Sequence, residues 1–138
     1  MPHRCSFWRN EDGAVAVEFA LILPLLLAIL LGIACFGQYF SIAHSLQQLA
    51  AETARYSVRG LGREEREDKA YVFIEEAKTR FPILQGDNVT ELISMDVTPG
   101  PGIKVTLTYD LTGSVIDLVD GFLGLKITKV SRSSHLVY

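Results

Sequence analysis

The sequence predicts an α+β protein. A long N-terminal transmembrane helix continues into a small domain with a second helix and a three-stranded antiparallel sheet. Three observations carry this. From Phe19 to Ala51 there is no Asp, Glu, Lys or Arg. Beyond the most apolar part, Tyr39, Ile42, Leu46, Leu49, Thr53 and Tyr56 recur at spacings of three and four, which is a helical seam. Further on, apolar and polar residues alternate on both sides of Pro99-Gly100-Pro101-Gly102, which is the pattern of a β-hairpin.

The membrane span is expected over residues 14–37. A bilayer core of about 30 Å takes about 20 apolar residues as a helix, and Phe19 to Gly37 supplies 19. A core helix of a soluble domain would show a polar stripe, and Phe19 to Phe36 has none. Pro24 is a candidate helix kink, because it removes one backbone hydrogen bond; membrane helices tolerate proline. Arg4 and Arg9 precede the span and no Lys or Arg follows until Arg55, which places the N-terminus in the cytoplasm. The apolar run is longer than that of a cleaved secretory signal, and Gly32-Ile33-Ala34-Cys35 is a poor lipoprotein box.

Residues 38–138 are expected to form the extracytoplasmic domain, with the helix continuing to about residue 59. Ala43, Ala50 and Ala54 broaden the seam, which either covers the domain's own sheet or meets another helix. Gly60 and Gly62 are candidate C-terminal caps. Residues 63–81 read as a second helix. Glu64, Glu65, Glu67 and Asp68 crowd its start and Lys78 and Arg80 its end, as the helix dipole favours. Ala70, Phe73, Ile74, Ala77 and Phe81 share a face, and Pro82 stops the helix. Strands are expected at residues 93–98 and 103–112, and a third, with poorer alternation, at 125–134. Three strands need a helix over their apolar face, and the seam after Gly37 can supply it. Residues 114–124 fit either a short docked helix or an apolar loop, packed over the sheet edge or exposed toward a partner or a membrane surface.

The net charge is −3, which gives no basis for nucleic-acid binding. The two cysteines, Cys5 and Cys35, lie before and inside the span, so they say nothing about redox compartment. His3, His44 and His135 are scattered and form no catalytic or metal-ligand pattern. No phosphate-binding glycine motif occurs, and no cofactor is implied. An enzyme is not expected.

Glu18 is the informative residue. A carboxylate at the centre of a membrane helix costs about 2.5–3.5 kcal/mol, and less near the interface. The twelve Leu, Ile and Phe residues from Phe19 to Phe36 each return roughly 0.3–0.6 kcal/mol, so the helix still inserts. Glu18 is either the last polar residue before the span or a charge that needs a cationic partner. A cut just before Ala14 would create one.

Gly13-Ala14-Val15-Ala16-Val17-Glu18-Phe19, followed by Ala-Leu-Ile-Leu-Pro-Leu-Leu-Leu, resembles the N-terminus of TadE-like proteins, pilin-like components of the tight-adherence (Flp) pilus machinery of bacteria. The resemblance is carried by Gly13 to Phe40. Phe19 stands where related pilins often have Tyr, and Cys35 where many TadE-like chains have an acid. It implies that residues 1–13 are a leader, that a prepilin peptidase cuts between Gly13 and Ala14, and that Ala14, Glu18 and Phe19 serve assembly. The implied function is that of a minor pseudopilin-like protein of the inner membrane. Its implied partners are the prepilin peptidase, other pilin-like or Tad assembly proteins and the lipid bilayer, and it would be associated with the pilus after processing. The rival expectation is a signal-anchored periplasmic binding domain that is neither cut nor assembled.

Overall fold

A computed structural model describes residues 11–84, 88–95, 100–124 and 126–138. The leader up to Asn10, with Arg4, Cys5 and Arg9, lies outside the described residues, as do Asp96 to Pro99. The side chains of Glu11, Asp12, Leu118, Asp120, Phe122 and Leu123 lie outside them too. The elements run in the order α1 (Glu11–Ser57), α2 (Arg63–Lys78), a 3-10 turn (Pro82–Leu84), β1 (Val89–Met95), β2 (Gly102–Asp110), α3 (Val115–Leu123) and β3 (Lys129–Val137). The chain is α+β, as expected. It divides into two compact units, Met1–Phe36 and Gly37–Tyr138.

The first unit is the apolar part of α1. It is long and apolar enough to cross a membrane. Its large side chains, among them Leu21, Ile22, Leu25, Ile29, Leu30, Ile33 and Phe36, are all exposed, as befits a helix whose solvent is lipid rather than a protein core. The helix runs through Pro24 without a break.

The second unit holds the core. Ile42, Leu46, Leu49 and Thr53 of the seam are buried against Ile103, Val105 and Leu107 of β2, Val130 of β3 and Ile74 and Ala77 of α2. The seam therefore covers the domain's own sheet, and Ala43, Ala50 and Ala54 are buried beside it. The two buried hydroxyls of α1 are satisfied within the helix: Thr53 Oγ1 donates to the Leu49 carbonyl at 2.7 Å and Ser57 Oγ to that of Ala54 at 2.8 Å. Tyr56 of α1 stacks on Phe73 of α2, with ring centroids 4.9 Å apart.

The sheet is antiparallel in the order β1-β2-β3. Across its covered face Val105 lies between Ile93 and Ser134, and Leu107 between Glu91 and Arg132. β2 is central and buries three consecutive inward residues, Ile103, Val105 and Leu107. The edge strands place polar residues inward near the rim, which is why β3 alternates poorly in sequence. β3 spans Lys129–Val137 rather than 125–134. Lys126 adopts φ 54°, incompatible with a strand, and the sheet resumes where the Leu111 N–H meets the Thr128 carbonyl at 2.8 Å. β1 starts at Val89, four residues before the expected Ile93.

Gly60 and Gly62 do not act as left-handed caps. Neither has positive φ, and α1 instead closes with tight turns, Arg59 N–H to Tyr56 O at 3.2 Å and Gly60 N–H to Ser57 O at 3.0 Å. Gly60 is needed for another reason. A Cβ there would lie 2.8 Å from Arg66 Cγ and 2.9 Å from its backbone nitrogen. Gly62 is the extended N-cap of α2. The C-terminus of α2 falls at Lys78, before the expected 81, because Arg80 and Phe81 N–H turn back to the carbonyls three residues earlier.

Candidate processing and assembly site

The described residues start at Glu11, already in helix α1, and the Gly13–Ala14 bond lies within that helix. Nothing in the fold requires glycine at 13. Its φ is not positive, and a Cβ would meet no atom within 4 Å. The same openness holds for Gly32 and Gly37 on the same helix.

Ala14 and Glu18 stand four residues apart, one turn along one face, separated by about 6 Å of rise. Helical side chains lean toward the N-terminus, so Glu18 leans toward the Ala14 turn. Glu18 is exposed, and among the described residues no ion pair reaches it. Phe19 follows it, exposed. In the continuous chain the Ala14 nitrogen is a neutral amide. A chain starting at Ala14 would present an ammonium there, at the positive end of the helix dipole and within one turn of Glu18. Among the described residues, Glu18 thus has no ion pair in the continuous chain, and a chain starting at Ala14 would offer it one.

His3 lies outside the described residues. His44 and His135 are exposed in the second unit. Among the described residues, no three His, Cys, Asp or Glu side chains come close enough to hold a metal ion. Sequence reasoning missed the cap of α3, in which the Asp117 N–H donates to Ser114 Oγ at 3.3 Å and the Asp117 carboxylate accepts the Gly113 N–H at 2.9 Å, although Ser-x-x-Asp before an apolar run is a readable signal.

Comparison with curated proteins and with solved structures gives no match. The family model described as TadE-like protein matches residues 13–55, from the glycine of the candidate scissile bond to two residues short of the end of α1. Over residues 13–55 the first helix of this chain is thus similar to that of TadE-like proteins.

Proposed function

We propose that this protein is a minor pseudopilin-like component of the tight-adherence (Flp) pilus machinery. It inserts in the bacterial inner membrane with its N-terminus in the cytoplasm and residues 38–138 outside it. A prepilin peptidase cuts Gly13–Ala14. The freed Ala14 ammonium and Glu18 then pair, within one helix or between neighbouring pilin-like helices. Between neighbours the pair sets the stagger, because an unmatched charge in a low-dielectric bundle is expensive. The protein works as an assembly component and not as an enzyme.

The observation that carries this reading is Glu18, exposed and without an ion pair among the described residues, one turn after Ala14 on the helix that matches the TadE-like family model. The test is intact mass and N-terminal sequencing of the protein extracted from cells that express the peptidase. A chain starting at Ala14 is the expected result; a chain keeping Met1 leaves the signal-anchored binding domain as the reading. Glu18→Gln is expected to insert and be cut normally while piliation falls. Normal piliation in that variant removes the pairing model.

A further inference from the structure

The two outer strands of the sheet leave backbone groups unpaired, and the register shows which. In an antiparallel ladder every second residue turns its N–H and C=O to the neighbouring strand, and the others turn theirs away. The Asp110 N–H donates to the Asn88 carbonyl at 2.8 Å, in line with the pairing of Val89 with Tyr109. On β1 the residues facing β2 are therefore Thr90, Leu92 and Ser94, and the backbone groups of Glu91, Ile93 and Met95 point off the sheet. On β3 the phase is set at both ends, by the Leu111 N–H on the Thr128 carbonyl at 2.8 Å and the Tyr138 N–H on the Pro101 carbonyl at 3.2 Å. Val130, Arg132, Ser134 and Leu136 face β2, so the backbone groups of Lys129, Ser131, Ser133, His135 and Val137 point outward. Two outward carbonyls agree with this phase. That of Ser133 accepts Gln47 Nε2 at 3.4 Å, and that of Ser131 accepts the Arg132 guanidinium at 3.0 Å. Both bonds are exposed. Among the described residues no acceptor meets the outward N–H groups of either strand.

An unpaired strand edge fits one kind of occupant, another extended backbone. Charge selects among them. Residues 82–103, which carry β1, include Asp87, Glu91 and Asp96 and no Lys or Arg. Residues 121–138, which carry β3, include Lys126, Lys129 and Arg132 and no Asp or Glu. The opposite edges of one sheet thus carry opposite charge. Their own unit only partly matches it. Lys78 stands 3.6 Å from Glu91, beyond hydrogen-bond distance, and Lys129 pairs across the sheet with Asp110. Among the described residues Lys126 and Arg132 have no ion pair. Two β3 edges side by side would set cations against cations, and two β1 edges acids against acids. β3 beside β1 matches them.

We infer that the outer edge of β3 in one copy of this chain takes β1 of a second copy, so that the sheet continues from one molecule into the next. β1 and β3 are each antiparallel to β2 and so run in the same direction. With the helices of both copies on one side of the joined sheet, the new strand pair is parallel. The contact is heterologous, because different surfaces meet, and each copy keeps one edge open for another. Gln47 and Arg132 leave the Ser133 and Ser131 carbonyls as the strand arrives, and Arg132 turns to the incoming acids. The inference rests on the second unit alone. It stands whether or not the Gly13–Ala14 bond is cut and whether or not the protein serves a pilus.

The test is amide hydrogen exchange of the full chain, read residue by residue, in vesicles of phosphatidylethanolamine and phosphatidylglycerol at low and at high protein-to-lipid ratio. At low ratio the outward amides of β1 and β3 are expected to exchange fast and the inward ones slowly. At high ratio the amides of Glu91, Ile93 and Met95 and those of Ser131, Ser133 and His135 are expected to gain several-fold protection together. No gain at either edge overturns the proposal. A gain on β3 without one on β1 also overturns it, since the occupant is then a second β3 or another chain. Ser133→Pro checks the cause. The Ser133 N–H lies outside the β2–β3 ladder, so an edge proline leaves the sheet intact but blocks a new strand. The gain should vanish at both edges while Ser134 and Leu136 stay protected, and a gain that survives overturns the proposal. Should Ser134 and Leu136 lose protection, the pair Lys129→Glu and Arg132→Glu decides instead. Reversed charge should cut the gain several-fold, and an unchanged gain overturns the proposal.

Discussion

At the residue scale, small side chains do work that sequence attributes to the wrong cause. Gly60 and Gly62 both read as helix stops, but only Gly60 is sterically constrained, and by Arg66 rather than by its own dihedral angles. Gly60→Ala is expected to lower stability by about 1–3 kcal/mol, the usual cost of overpacking, because the crowding atoms include Arg66 backbone. Gly62→Ala, with nothing within 4 Å and φ −122°, is expected to shift stability by less than about 1 kcal/mol. Urea unfolding of the detergent-solubilised protein separates the two. Equal losses would mean that both glycines are retained for chain flexibility, not for the approach of α2.

At the element scale, charged groups secure helix starts and sheet corners. Glu65 is held below its ordinary value of 4.5 by Lys69, then by the Leu61 N–H it accepts at 2.8 Å. Asp110 is held below 3.8 by the Thr112 hydroxyl, then by the Thr112 N–H. A carboxylate depressed in the folded state adds stability above its unfolded value, and that stability is lost as pH falls through the folded value. Both contributions should therefore disappear on the acid side, below about pH 4.5 for Glu65 and below about pH 3.8 for Asp110. Glu65→Gln and Asp110→Asn are each expected to flatten the acid limb of a stability–pH curve and leave its neutral shape unchanged. Lys78 runs the other way. Burial pulls it down, but the Glu75 and Glu91 carboxylates, at 2.7 and 3.6 Å, outweigh this and hold it above 10.5, so its contribution persists until alkaline pH. The free edge of β3 is blunted by side chains: Gln47 occupies the Ser133 carbonyl and Arg132 that of Ser131. The Glu65–Lys69 and Glu75–Lys78 pairs follow from helical spacing and are legible in sequence, whereas Lys78–Glu91 and Gln47–Ser133 are not, because packing sets their proximity. Helix and strand identities were legible because hydrophobic period shows them directly. The ends were not, because Lys126 at positive φ and the turns after Ser57 and Lys78 depend on what each end must meet.

At the scale of the whole molecule, α1 serves two solvents. Up to Phe36 its large side chains are uniformly exposed, and from Ile42 onward one arc is fully buried in a protein core. The seam at Ile42, Leu46, Leu49 and Thr53 was legible as a seam, but its partner was not, because packing on a sheet and packing on a second helix ask for the same spacing. The family match covers both parts of the helix and none of α2 or the sheet. This division predicts that substitutions in the two parts separate cleanly. Leu46 is fully buried, and Leu46→Ala should cost the domain about 2–5 kcal/mol, a large share of the roughly 5–15 kcal/mol of a small domain. Membrane integration and the N-terminus found by sequencing should be unchanged, since Leu46 lies beyond the apolar span. Glu18→Gln should leave the urea midpoint alone. The double variant should show both losses without interaction, as expected of sites with no shared partner. A Glu18→Gln chain with altered domain stability would mean that the acid is already engaged by the domain before assembly, and the switch assigned to proteolysis would have to be sought there.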